Sequence, residues 1–381
     1  MHRSARFSGA ISKRASWGLA LVPALLLGQN ISREGNRWVM TLGGSLAAGT
    51  RLQVTSQGPI HVEGGSGSEV TFTAKLSVEA RTEDDARRIF SRYHLRTLSA
   101  NDQVIVAAPG GPVLTNLNIK APRLKLAVVQ TSGGSVEANS IDGDLRVNSG
   151  GGDLKCDRIG GDCNLATAGG RIQVGEVGGD LECATAGGAI SVKTVRGDAV
   201  LETAGGSVDV STAGGDLRVS TAGGAIHIGS ASGNVTAGSG GGSITVGKAG
   251  GQVTVREMAG PVEVGAAAAV RCESGSGGVR VSNISGPMRI TTALGSIIAS
   301  LMDGRFRESM LETGNGDVTV LIPSNLGVTI RAETERGRVV SDFPMAQRLV
   351  GMEVRAEGSI NGGGPMLRIA GAGGTIFIKR Q

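Results

Sequence analysis

Between residues 131 and 256, apolar and polar positions recur every 18 residues without an insertion. The units open on Thr131-Ser-Gly-Gly, Ser149-Gly-Gly-Gly, Thr167-Ala-Gly-Gly, Thr185-Ala-Gly-Gly, Thr203-Ala-Gly-Gly, Thr221-Ala-Gly-Gly and Ser239-Gly-Gly-Gly. In the unit that starts at Thr167, counted as position 1, Ile172, Val174, Val177, Leu181 and Cys183 occupy positions 6, 8, 11, 15 and 17. This period-two alternation predicts two short strands per unit, each with one face turned inward. A short fixed period predicts stacked coils. The fold expected is therefore all-β: a single-stranded parallel β-helix, or β-solenoid, with 18-residue coils about 4.8 Å apart. The paired glycines are read as corner residues, needed for positive φ and for close stacking of neighbouring coils.

The flanks are less regular. After Arg256 the pattern loosens but returns in Thr313-Gly-Asn-Gly-Asp-Val-Thr-Val and in Gly374-Thr-Ile-Phe-Ile, read as the last strand. Before the repeats, strands are predicted at 51–54, 60–62 and 70–74, then one helix over 83–96. Thr82 would cap that helix, and Ala86, Ile89, Phe90 and Tyr93 would form its apolar stripe. An open solenoid end invites strand addition, so this region is expected to be a cap. The expected organisation is 1–29, an export signal; 30–130, N-terminal strands and capping helix; 131–256, regular solenoid; 257–381, less regular coils and cap.

Composition then narrows the function. Aromatics make up 2 % of the chain and glycine 64 of its 381 residues, so the core is built from small aliphatic side chains. The net charge is +5, of which Arg3, Arg6, Lys13 and Arg14 supply four. A nearly neutral remainder argues against nucleic acid as a partner. The basic start and the apolar stretch from Trp17 to Gly28 read as a secretory signal, too short to span a bilayer. An uncleaved anchor is the competing reading. The body is expected to be exported, to the periplasm, cell surface or medium, without stable membrane insertion.

Candidate chemistry is sparse. Cys156, Cys163 and Cys183 fall at inward positions 8, 15 and 17, and Cys272 near position 17 of a shortened unit, so all four read as core residues. Asp144, Asp162, Asp180, Asp198 and Asp216 form a column at position 14, followed by Asn234 and Gln252. Stacked carboxylates are a candidate calcium edge. Corner Asp residues that accept backbone N–H groups are the preferred reading, because Asn and Gln substitute in the column. The Thr/Ser column at position 1 is read as structural too. His61, His94 and His227 have no evident partners; Arg87, Arg88, Arg92 and Arg96 are a candidate basic patch for anionic polymers, with a solvated helix face the preferred reading. No nucleophile elbow, metal motif or carboxylate pair stands out, so no catalytic residue and no cofactor is expected.

The run of T-A-G-G…G-D-L units, Thr313-Gly-Asn-Gly-Asp-Val-Thr-Val, Ile322-Pro-Ser and Gly362-Gly-Gly-Pro-Met-Leu-Arg-Ile resembles the bacterial DUF4097 family over roughly residues 40–380. That family also carries the labels "putative adhesin" and β-strand repeat-containing protein. The resemblance implies an exported or envelope-associated β-solenoid and supplies no catalytic residues. The function expected is a non-enzymatic adhesin-like or scaffolding protein whose partner is an envelope component, glycan or protein. The alternatives are a carbohydrate-active β-helix enzyme and a polymerising scaffold resembling the bactofilins.

Overall fold

Each repeat folds as its alternation predicts, into two strands separated by two corners. In the unit from Thr167 these strands are Ile172–Val177 and Leu181–Thr185. Ile172, Val174, Val177, Leu181 and Cys183 point inward and are almost fully buried. Thr185, at position 1 of the following coil, is buried beside them. The computed structural model describes residues 30–302 and 306–381, so the segment 1–29 read as an export signal lies outside the described residues.

Parallel pairing carries the repeat from coil to coil. Ile172 pairs with Ile190 in one sheet and Leu181 with Ala199 in the other, both 18 residues on. The same offset holds from Leu126↔Asp144 to Ile244↔Val262. Beyond it the coil length drifts, with pairs Gln252↔Ala269, Val270↔Met288 and Arg289↔Met310. Two strands per coil give two parallel ladders that run the length of the stack. One hydrophobic core runs through it from Met40 to Ile378.

The first coil is made by Arg51–Ser56 and Ile60–Gly65, which pair with Leu126–Thr131 and Val136–Ile141. The chain between them leaves the stack and builds the cap. Strands Arg37–Ala47, Glu69–Val78 and Leu114–Pro122 add antiparallel pairs to one sheet. The helix Glu83–Phe90 closes the end, with Ala86 and Phe90 buried. Thr82 caps it by accepting the Asp85 N–H at 3.2 Å. The helix is shorter than the predicted 83–96. After Ser91 the chain tightens into three-residue turns, Arg92 N–H to Ile89 O and Tyr93 N–H to Phe90 O. These turns drop Tyr93 into the core, where its hydroxyl meets Thr115 Oγ1 at 2.5 Å. Arg96 then begins a strand.

The final strand, Met366–Arg380, contains the segment read as the last strand, but it is not the outermost layer. It lies between Ser309–Ile322 on one side and Val328–Ser341 on the other. Val328–Ser341 skips a layer, the hairpin Ala346–Ile360 extends beyond it, and the last strand fills the gap. One expectation about the corner glycines needs correcting: of their two expected roles, positive φ and close stacking, only the stacking holds. None between 131 and 256 has a positive φ. At the second glycine of each pair the reason is space: a Cβ on Gly188 would lie 1.9 Å from the Gly170 carbonyl oxygen, and one on Gly206 2.0 Å from that of Gly188.

Among the described residues there are 34 strands and one helix. The chain is an all-β, single-stranded parallel β-solenoid with an N-terminal cap that contains one short helix.

Candidate functional site

Two polar columns, Thr/Ser and Asp, run along the stack, and both are consumed by the stack itself. The Thr/Ser column at position 1 faces inward. Thr185 Oγ1 donates to the Gly170 carbonyl at 2.9 Å and accepts the Gly188 N–H at 3.2 Å. Thr203, Thr221 and Ser239 repeat both bonds one coil later each time. A hydroxyl that donates and accepts in this way has no proton left to give, and its burial inside the wall keeps a ligand from reaching it.

The Asp column lies at the opposite corner, on the surface. Asp144 Oδ1 accepts the N–H of Asp162 at 3.0 Å, and Asp162 accepts that of Asp180 at 2.9 Å. The chain of bonds continues through Asp198 and Asp216 to Asn234 and Gln252. Each carboxylate fills the space in which the next coil's glycine would carry a Cβ, as Asp162 Oδ1 does at 2.2 Å from that position on Gly179. Gly-Asp is thus one device: the glycine makes room and the Asp ties the coils. Asn234 performs the same task because its amide oxygen also accepts. Between this edge and the outward Asn164 and Glu182 lies an open groove of about 540 Å³. Among the described residues, no group of three or more His, Cys, Asp or Glu side chains is placed to hold a metal ion.

Glu257 interrupts the Thr/Ser column. It pairs with Ser239 on one side and Ser274 on the other. Its side chain is inside the wall at 4 % exposure, Oε1 accepts the Ala259 N–H at 3.2 Å, and Oε2 has no partner. Burial raises its pKa above the usual carboxylate range. Counting 18 from Ser239 would have found this residue, but the loosened period after Arg256 hid it.

Cys156, Cys163, Cys183 and Cys272 are all free and buried. Contact with the Cys163 thiol, and then burial, push Cys156 well above the usual range. Burial does the same to Cys183 and lifts Cys272 to about 12. His61 has a partner that the sequence did not suggest: its Nδ1 lies 3.4 Å from Glu137 Oε2, and Lys155 reaches the same carboxylate at 2.9 Å. His61, Glu137 and Lys155 are distant in sequence but neighbours in one outward column. His227 stands outward between Asp209 and Thr245. Arg87 pairs with Glu83 one helical turn away at 2.7 Å.

What remains free is the outward face of each sheet. Gln173, Ser191, Asp209 and His227 succeed one another along one sheet, and Asn164, Glu182, Val200 and Arg218 along the other. These side chains are exposed, Val200 included. No helix among the described residues is long and apolar enough to cross a membrane.

No protein-family model matches the chain, and no curated protein does. Solved structures are similar to the chain only at low identity and low TM-score. A "putative adhesin" from Bacteroides fragilis NCTC 9343 is 12 % identical over 68 % of this chain and 96 % of its own, with a TM-score of 0.30. A "putative cell adhesion protein" from Clostridium sporogenes ATCC 15579 is 10 % identical over 90 % and 100 %, with a TM-score of 0.15. A "putative lipid binding protein" from Parabacteroides distasonis ATCC 8503 is 10 % identical over 91 % and 98 %, with a TM-score of 0.28. At such scores these likenesses carry no weight about function, which must rest on the chain's own residues.

Proposed function

We propose that this chain is an exported, non-enzymatic β-solenoid of the cell envelope, of the DUF4097 kind, that works as an adhesin-like or scaffolding protein. One observation carries the reading: the division of labour within each coil. Threonine, glycine and aspartate columns are committed to holding coils together. The outward strand positions are left as two long, regular, solvent-facing arrays of varied polar side chains. Such arrays suit a repetitive partner, a glycan or an envelope protein, bound along the side of the rod. The capping helix at one end and the hairpin Ala346–Ile360 at the other favour side-on contacts over end-to-end polymerisation.

The test is retention of an envelope component from cell extracts on immobilised protein, together with a glycan array. The quadruple variant Gln173→Ala, Ser191→Ala, Asp209→Ala, His227→Ala clears one outward array without touching the core. It is expected to lose binding about tenfold or more while its thermal midpoint stays put. No retained component, or equal retention by the variant, would contradict the proposal. Cell fractionation tests export separately: recovery in the cytoplasm alone would remove that part of the reading.

A further inference from the structure

The helix that closes the N-terminal end also forms one wall of a cleft of about 640 Å³, a size that suits a small ligand. The opposite wall is the loop 109–113. This loop is pinned by the Gly111 N–H, which donates to Gln57 Oε1 at 3.2 Å. The floor is apolar: Ile89, Pro109, Pro112 and Val113, with the Tyr93 ring fixed by its hydroxyl bond to Thr115. Arg81, Arg88 and Arg92 line the rim. Among the described residues none of these three guanidiniums has a carboxylate within ion-pair distance, whereas Arg87 on the same helix has Glu83. Of the two acids at the rim, Glu79 is taken by Arg37 at 3.1 Å, and Asp85 accepts the Thr82 hydroxyl at the helix start. Guanidiniums thus outnumber uncompensated carboxylates three to one around an apolar floor.

We propose that this cleft binds an amphiphilic phosphate: an anionic head held by Arg81, Arg88 and Arg92, with an apolar body laid over Ile89, Pro109 and Pro112. Phosphate is favoured over carboxylate because three planar forks exceed what two oxygens accept, while a phosphate offers three or four. The site is separate from the outward arrays, so it stands or falls independently of the proposed side-on binding.

The probe is n-dodecyl phosphate below its micelle concentration, titrated calorimetrically into protein purified from cells making the full chain. Saturable binding is expected, weakening as salt rises. Inorganic phosphate should bind about tenfold more weakly or worse, because it leaves the apolar floor empty. The double variant Arg88→Gln, Arg92→Gln should lose about tenfold or more. Arg96→Gln, just outside the cleft, should change nothing. Arg81→Gln, which lies off the helix, serves as an independent second variant should the double variant unfold. Vesicles then distinguish the source of the ligand. Flotation with phosphatidylglycerol but not phosphatidylcholine would identify a lipid headgroup, and dodecyl phosphate binding without flotation a dispersed amphiphile. Absence of saturable dodecyl phosphate binding, or equal affinity in wild type, Arg81→Gln and the double variant, would overturn the proposal.

Discussion

Neighbouring glycines in one Gly-Gly corner have opposite sensitivities. A methyl group added at Gly187 meets nothing within 4 Å, while at Gly188 it would collide with the Gly170 carbonyl. Gly187→Ala is therefore expected to be neutral or stabilising by up to about 1 kcal/mol, through the unfolded chain. Gly188→Ala is expected to cost about 3 kcal/mol or more, because a rigid backbone must give way. Urea denaturation of the pair checks this, and equal costs would refute the stacking argument. Glu257 gives a prediction in pH. Its folded pKa lies above the unfolded value of 4.5, so the folded state holds the proton longer. Its contribution to stability is thus greatest in acid and is lost as pH rises from about 4.5 through the folded value. Glu257→Thr, which restores the column's own residue, should raise stability at neutral pH by about 1–2 kcal/mol by removing the orphaned buried oxygen. The same substitution should flatten the pH profile, and a profile identical to wild type would count against the assignment. For the thiols, raised pKa and burial predict no reaction with a thiol reagent at pH 8 in the native protein and four reactive groups after unfolding.

At the scale of elements, the Asp ladder is a set of hydrogen bonds from each coil to the next. Asp180→Asn keeps an accepting oxygen and relieves like charge, so its thermal midpoint should stay within a degree or two of wild type. Asp180→Ala removes the acceptor and should cost about 1 kcal/mol. The calcium reading of this edge predicts a midpoint that falls when EDTA is added. The corner reading predicts an unchanged one, and differential scanning fluorimetry separates the two. Much of this level was legible in the sequence. The alternation at positions 6, 8, 11, 15 and 17 marks the inward faces, and Thr82 with the Ala86–Phe90 stripe marks the capping helix. Position 1 was not recognisable as inward, because a buried threonine looks polar until its two hydrogen bonds are seen. Positive φ is the general reason for glycine at a corner, whereas the need for space at these corners depends on where the previous coil's carbonyls lie. Of the proposed phosphate cleft only the helix arginines Arg88 and Arg92 were legible, because its walls, the helix and the loop 109–113, meet only in the folded cap.

For the whole molecule, a fixed 18-residue period was enough to name the fold, since equal spacing leaves little choice but stacked coils. The order of the last layers was not readable. Strand insertion of Met366–Arg380 between two earlier elements is a matter of topology, and topology leaves no mark on alternation. That inserted strand bridges both sheets, so removing it should open the C-terminal end of the core to a hydrophobic dye while the central coils keep their β signature. The stack itself makes the most exacting prediction. Stability in a solenoid is close to a sum over coils and their interfaces, and every column in 131–256 repeats at 18 residues. Excising residues 185–202 joins Ala184 to Thr203 and returns each column to register. Excising one residue fewer, 186–202, shifts the following strands and turns their apolar side chains outward. Thermal unfolding followed by circular dichroism should show a cooperative transition within a few degrees of wild type for the 18-residue excision, and loss of cooperative folding for the 17-residue one. Indistinguishable behaviour of the two deletions would contradict the account.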